Sequence, residues 1–168
     1  MTGSSRDPRL VAVQRGGLLA DADHRLLAVW AAGCAARVLP VFEDACPGDS
    51  RPAAAVAAGR AWAAGQGSVT QARAAAVAAH AAAREAQGAA CLAARACGQA
   101  AATAHMADHE LGAAFYAIRA VASASPDDVD AERAWQLESL PHGVADLVRS
   151  DMHLRAVKFQ GVFVRLKP

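Results

Sequence analysis

Apolar positions recur along this chain every three to four residues, and the polar ones gather into complementary stripes. In DADHRLLAVWAAGCAARVLPVFEDA, Leu27, Trp30, Cys34, Val38 and Val41 follow helical spacing, and Asp21 or Asp23 can accept from the unpaired amides of the first turn. This predicts a helix with one buried stripe, which Pro40 should bend or end. CPGDSRP reads as a turn, after which Asp49 or Ser50 caps a second helix with Pro52 in its first turn, Trp62 near its end and GQG as its stop. Ser68 and Gln71 make a capping box, so a third helix should run to about Gln87 and end at Gly88.

A fourth helix over AACLAARACGQAAATAH and a fifth over DHELGAAFYAIRAVASA, with a break around His105 to His109, are favoured over the alternative of one long helix interrupted there. Ser125, Pro126, Asp127 and Asp128 then open a sixth, the acids standing at the positive end of its dipole. One more short helix follows the Leu140-Pro141 step, over about 142 to 154. Residues 1–20 hold Gly, Ser, Arg and Pro around LVAV and read as a loose arm. The tail, VKFQGVFVRLKP, alternates apolar and polar residues, so 154–168 is expected extended. With no strand pair, no fixed repeat and no Gly-rich loop after a strand, the expectation is an all-α fold: one domain over 21–168, a bundle of six or seven helices.

Composition sharpens this picture. More than a quarter of the residues are alanine and only 5% are aromatic. Alanine gives up least on entering a helix, and its methyl group lets helices approach closely, so the few large apolar side chains should mark the seams. Trp30 and Trp62 are expected in the core.

Charge excludes more than it suggests. Lys+Arg of 17 against Asp+Glu of 16 leaves +1, too little to draw the chain to nucleic acid or anionic lipid. Arg155, Lys158, Arg165 and Lys167 among Phe159 and Phe163 could meet an acidic surface or pack back on the bundle. Cys34, Cys46, Cys91 and Cys97 make no C-x-x-C pair and read as small core residues or idle thiols. Arginines and histidines interrupt every alanine run before the roughly 20 residues of a membrane span, and the start lacks a signal-peptide pattern. A soluble, cytoplasmic protein is expected.

Two polar stripes are the candidate chemistry. At about 100° per residue, His105, His109, Gly112, Tyr116 and Arg119 fall on one side of the fifth helix, away from Leu111, Phe115 and Ile118. Two imidazoles four apart suit a metal ion, but a site needs a further ligand, for which His80, Asp108 or Cys34 are the candidates, and HMADHE lacks the internal glutamate of zinc proteases. On the third helix, Arg73, Val77, His80 and Arg84 share a face that could hold a carboxylate or phosphate, or simply meet solvent. If the two faces meet across a groove, the chain owns a polar, histidine-rich pocket. No serine or cysteine has a base at recognisable spacing, and no catalytic carboxylate pair stands out, because most acids sit at helix starts or in turns.

The segments WAAGCAARVLPVFE, DSRPAAAVAAGRAW, AHAAAREAQ, AARACGQAAATAHMADHELGAAFYAIRA and ERAWQLESLP resemble the small Imm-5-like bacterial immunity proteins, frequent in high-GC actinobacteria; the likeness spans about residues 24–163. The resemblance implies a helical single domain that shields its producer from a cognate toxin by stoichiometric binding, without catalysis or cofactor. It brings no catalytic residues. The matched polar positions Arg51, His80, Arg84, Arg95, His105 and His109, joined by Arg73 and Tyr116, are the candidate binding residues. Two other readings stay open: a small-molecule or metal-binding protein, for resistance, sequestration or catalysis, whose pocket uses the histidines and arginines, and a helical module that acts as a homo-oligomer.

Overall fold

The computed structural model describes residues 7–163. Seven helices pack into a single bundle: α1 (Asp21–Ala45), α2 (Arg51–Ala63), α3 (Val69–Glu85), α4 (Gly88–Ala102), α5 (Glu110–Ala124), α6 (Val129–Glu138) and α7 (Ala145–Leu154). Among the described residues there is no strand, only one isolated bridge between Ala12 and Leu19. Short 3-10 turns at Ala107–His109, Pro126–Asp128 and His142–Val144 lead into α5, α6 and α7.

The centre is α4, which packs on α1, α2, α3 and α5. Its inner surface consists of Ala90, Ala93, Ala94, Ala96, Cys97, Gly98, Ala100, Ala101 and Ala102, all buried. Side chains this small let four neighbours crowd one rod. Bulk comes from the partners, chiefly Leu27, Trp30, Val38 and Phe42 of α1 and Leu111 of α5. The Trp30 indole N–H donates to the Gln136 carbonyl at 2.9 Å, which anchors α6 over α1. By length and composition α1 could cross a membrane, yet half of its apolar window is buried inside the bundle, as a core helix requires.

Local chemistry explains the boundaries. Ser68 Oγ accepts from the Gln71 amide at 3.1 Å while Gln71 Oε1 accepts from the Ser68 amide at 2.8 Å, the expected capping box. Trp62 is buried as expected. Pro40 does not end α1, which runs five residues further. Its ring removes one hydrogen bond on an exposed side near the helix end, and the buried Phe42 holds the last turn. Neither Asp21 nor Asp23 makes a capping bond, nor does Ser125; α1 and α6 begin without side-chain caps. Gly88 does not end α3, which stops at Glu85; it opens α4 at φ +55°.

Residues 7–20 and 155–163 are more ordered than their composition suggests. Residues 7–20, expected as a loose arm, lie against the bundle: Leu10, Ala12 and Leu19 are buried, and the Leu19 amide donates to Val11. Residues 1–6 and 164–168, including Arg165 and Lys167 of the basic tail, fall outside the described residues. Residues 155–163 are not extended. They coil into successive turns, with Phe159 N–H donating to Arg155 and Gly161 N–H to Ala156, because the buried Phe159 packs on Phe115 and Phe163.

A side chain at Gly17 would put Cβ 1.9 Å from the Val11 carbonyl oxygen. Gly17→Ala is therefore expected to loosen the 7–20 segment by roughly 1–3 kcal/mol while leaving the bundle folded. Limited proteolysis reads this as faster cleavage before residue 20 at an unchanged Tm.

Candidate functional site

His80 of the third-helix stripe and His109, just before the fifth helix, come near each other across α4. His80 of α3 lies flat on Gly98 of α4: a Cβ there would come within 2.6 Å of the imidazole. Gln99, the next residue, fills the space left open by Gly112 of α5, where a Cβ would meet the amide oxygen at 2.6 Å. Two glycines thus let a histidine and a glutamine bridge three helices.

Gln99 Oε1 sits 2.7 Å from His109 Nδ1, so the ring donates from Nδ1 and keeps its lone pair on Nε2. Burial pushes the His109 pKa down to about 4; Asp108 raises it, and His105, His80 and Lys158 lower it further. One turn along, the Arg95 guanidinium stands 5.8 Å from the Tyr116 ring, and Arg119 covers Phe115 at 5.6 Å. His80 is held below its ordinary pKa by burial first, then by Arg95 and Arg84. Arg73 and Arg84 extend the same α3 stripe, both exposed.

The remaining candidates lie elsewhere or act differently. Arg51 is a clasp: it donates to Asp49 and to Glu85 at 2.5 Å, tying the start of α2 to the end of α3. His105 is not on the fifth helix, which starts only at Glu110; it lies in the turn after α4 with its ring 5.3 Å from that of His109, tilted 45°. It lines a cavity of about 210 Å³ with His24, Arg25, Trp62, Val69 and Asp21. His24 Nε2–H donates to the Thr103 carbonyl at 2.6 Å, and its ring meets Trp62 edge-on. Cys34 is buried in α1 near Glu132, away from the histidines, and burial raises its thiol pKa. Cys97 is pushed up to about 12 for the same reason, so neither is a ready thiolate nucleophile. Among the described residues no group of three or more His, Cys, Asp or Glu is placed to hold a metal ion.

Two buried polar networks escape a sequence reading. Arg155, past the end of α7, donates to the Asp108 carbonyl at 2.9 Å, to Glu110 at 3.2 Å and to Asp151. Glu110 is fully buried, and burial first, with Asp151 beside it, raises its pKa well above the carboxylate range against the pull of Arg155. In the second, on α6, Glu132 accepts from Arg37 at 2.7 Å and from Gln136 at 2.9 Å, with Arg37 stacked 4.2 Å from Trp135. The i, i+4 spacing of Asp151 and Arg155 was a visible signal for the first network; nothing local announces that Glu110 joins them.

The arrangement offers hydrogen-bond donors, cations and one phenol along α3, α4 and α5, and among the described residues neither Cys34 nor Cys97 is set beside a base. Residues 17–143 match the model of one protein family, described as Imm-5 like putative immunity protein. No curated protein and no solved structure matches the chain.

Proposed function

The chain belongs to the Imm-5 like putative immunity protein family, and from that premise we propose that it neutralises a cognate bacterial toxin in the cytoplasm by covering it stoichiometrically, without chemistry of its own. The family match carries this reading. Three physical features support it. The bundle presents a preformed surface, so little ordering entropy is lost on binding. The polar stripes lie over α3, α4 and α5, and of their residues His105 lines the cavity of about 210 Å³ beside His24 and Trp62. The cavity of about 290 Å³ beside Arg37, Val121 and Glu132 lies away from those stripes and at the lower edge of the roughly 300–1,000 Å³ that small-molecule sites occupy.

Protein recognition asks for about 800 Å² from each partner, roughly a tenth of the 8635 Å² this chain exposes. Toxin-like proteins encoded beside the gene are the test. Co-expression is expected to rescue growth only when this chain is made in at least equimolar amount, and the two proteins should elute as a 1:1 complex. Failure to protect against any of them overturns immunity. Protection at a twentieth of the toxin's amount, with the toxin covalently altered, overturns the stoichiometric mechanism.

A further inference from the structure

The geometry points to the outer face of α3, α4 and α5 as the docking surface, and to an acidic face of a protein as its occupant. This inference rests on the immunity reading above and supplies the sign of the partner's contact surface.

Charge is distributed unevenly in a nearly neutral chain. Residues 69–124 contain four arginines, Arg73, Arg84, Arg95 and Arg119, against three acids, Glu85, Asp108 and Glu110. Glu85 is turned to Arg51 and Glu110 is buried against Arg155. Asp108, in the turn before α5, faces His109. None of the four arginines forms an ion pair among the described residues, although seven others do. Lys158 joins the edge of the same face: it lies 5.7 Å from the Phe159 ring, which packs on Phe115, and it contributes to the field at His109. The compensating acids, among them Asp127, Asp128, Asp130 and Glu138, stand around α6.

This face also has apolar contact area inside its cationic rim. Val77 is 62% exposed on the stripe that carries Arg73, His80 and Arg84, and the half-buried Tyr116 ring lies against Arg95, with Arg119 over the neighbouring Phe115. Tyrosine and arginine around a small apolar centre are the composition of protein-binding hot spots. A membrane or nucleic acid fits less well, since the net charge of +1 provides no long-range attraction to a polyanion. Arginine forks on rigid helices suit carboxylates at fixed positions.

The surface can be probed without the toxin, using a ten-residue glutamate peptide titrated into the isotopically labelled chain at low salt. Chemical-shift changes should centre on Arg84, Arg95, Tyr116 and Arg119. Arg84→Glu/Arg119→Glu is expected to weaken binding at least tenfold, whereas Arg60→Glu/Arg149→Glu, on α2 and α7, should change it less than twofold. Arg84 and Arg119 are exposed, and unchanged circular dichroism will show that the first variant folds. Changes centred elsewhere, equal weakening by both variants, tighter binding of single-stranded oligothymidine or phosphatidylglycerol vesicles to this face, or self-association through it would each overturn the proposal. In the growth assay, full protection by Arg84→Glu/Arg119→Glu overturns it while leaving the immunity reading intact. Absence of protection by the unaltered chain overturns immunity and leaves the titration to decide the surface.

Discussion

Arg155→Ala is expected to cost about 3–5 kcal/mol of folding stability, the usual loss when one member of a buried ion pair is removed. Arg155 is 18% exposed, whereas Glu110 and Asp151 are 0% and 3% exposed. Without the guanidinium, two carboxylates face each other away from water, and the Asp108 carbonyl loses its donor. A domain of this size has about 5–15 kcal/mol in total, so urea denaturation should show a large fall in midpoint. The segment after α7 should loosen as well, because Arg155 joins it to the start of α5.

The loss should depend on pH in a direction fixed by Glu110. Its pKa is raised in the folded state by burial, so the neutral acid is the form the fold prefers. A raised carboxyl contributes stability that is fully present below its unfolded value, near 4.5, and disappears as pH climbs through the folded value. Arg155→Ala should therefore be worst at pH 8 and milder at pH 5, where a proton can bridge the two carboxyls. Glu110→Gln in the Arg155→Ala background is expected to recover part of the loss at pH 8, since one buried charge is gone. An unchanged urea midpoint in Arg155→Ala would show that the network contributes nothing.

Helix positions were largely legible because they depend on local causes. The Ser68/Gln71 box, the glycine and proline punctuation and the Leu27 to Val38 stripe act within a few residues of themselves. Of the bend or end that Pro40 suggested, the end does not occur, because the cost of a helical proline depends on what lies around it, here an exposed flank and the packing of Phe42. The tail misled for a related reason. Its alternation of apolar and polar residues suits a strand, but no strand exists among the described residues to pair with it, and Phe115 draws Phe159 inward instead. The two polar stripes were legible one helix at a time. That His80 and His109 come near each other depends on Gly98 and Gly112, whose missing side chains admit His80 and Gln99, a long-range fact that no spacing encodes. The same limit hid Glu110, which reads locally as an acid at a helix start and is in fact the buried partner of a residue 45 positions later.

Acid should destabilise the protein through His109. Its folded pKa, held down to about 4 chiefly by burial, lies below its ordinary 6.5. The unfolded chain therefore binds a proton that the folded chain refuses, and the stability this histidine contributes, complete above about pH 6.5, is lost as pH falls through 4. The full shift corresponds to about 3 kcal/mol; because the ring keeps some contact with solvent, roughly 1–2 kcal/mol is the expected loss between pH 6.5 and 4.5. His80 and His24, both lowered first by burial, push the same way. Glu110 opposes them, since a raised carboxyl gains from the same protons.

Two variants separate these contributions. His109→Asn places an amide N–H where Nδ1 donated to Gln99, so the turn before α5 keeps its bond and loses only the titrating ring. Its stability should fall less steeply than that of the unaltered chain from pH 6.5 to 4.5. Glu110→Gln removes the opposing carboxyl and should make the fall steeper. Groups that face His109 from every side enter the same balance: Gln99 from α4, His80 from α3, His105 and Asp108 from its own turn, and Lys158 from the segment after α7. A proton on His109 adds a cation beside Lys158 and His80, so the region that loosens first in acid should be the turn at 103–109. Hydrogen exchange at those amides, compared at pH 6.5 and 4.5 after correction for intrinsic rates, reads this directly. Parallel stability slopes for His109→Asn and the unaltered chain would remove His109 as the cause.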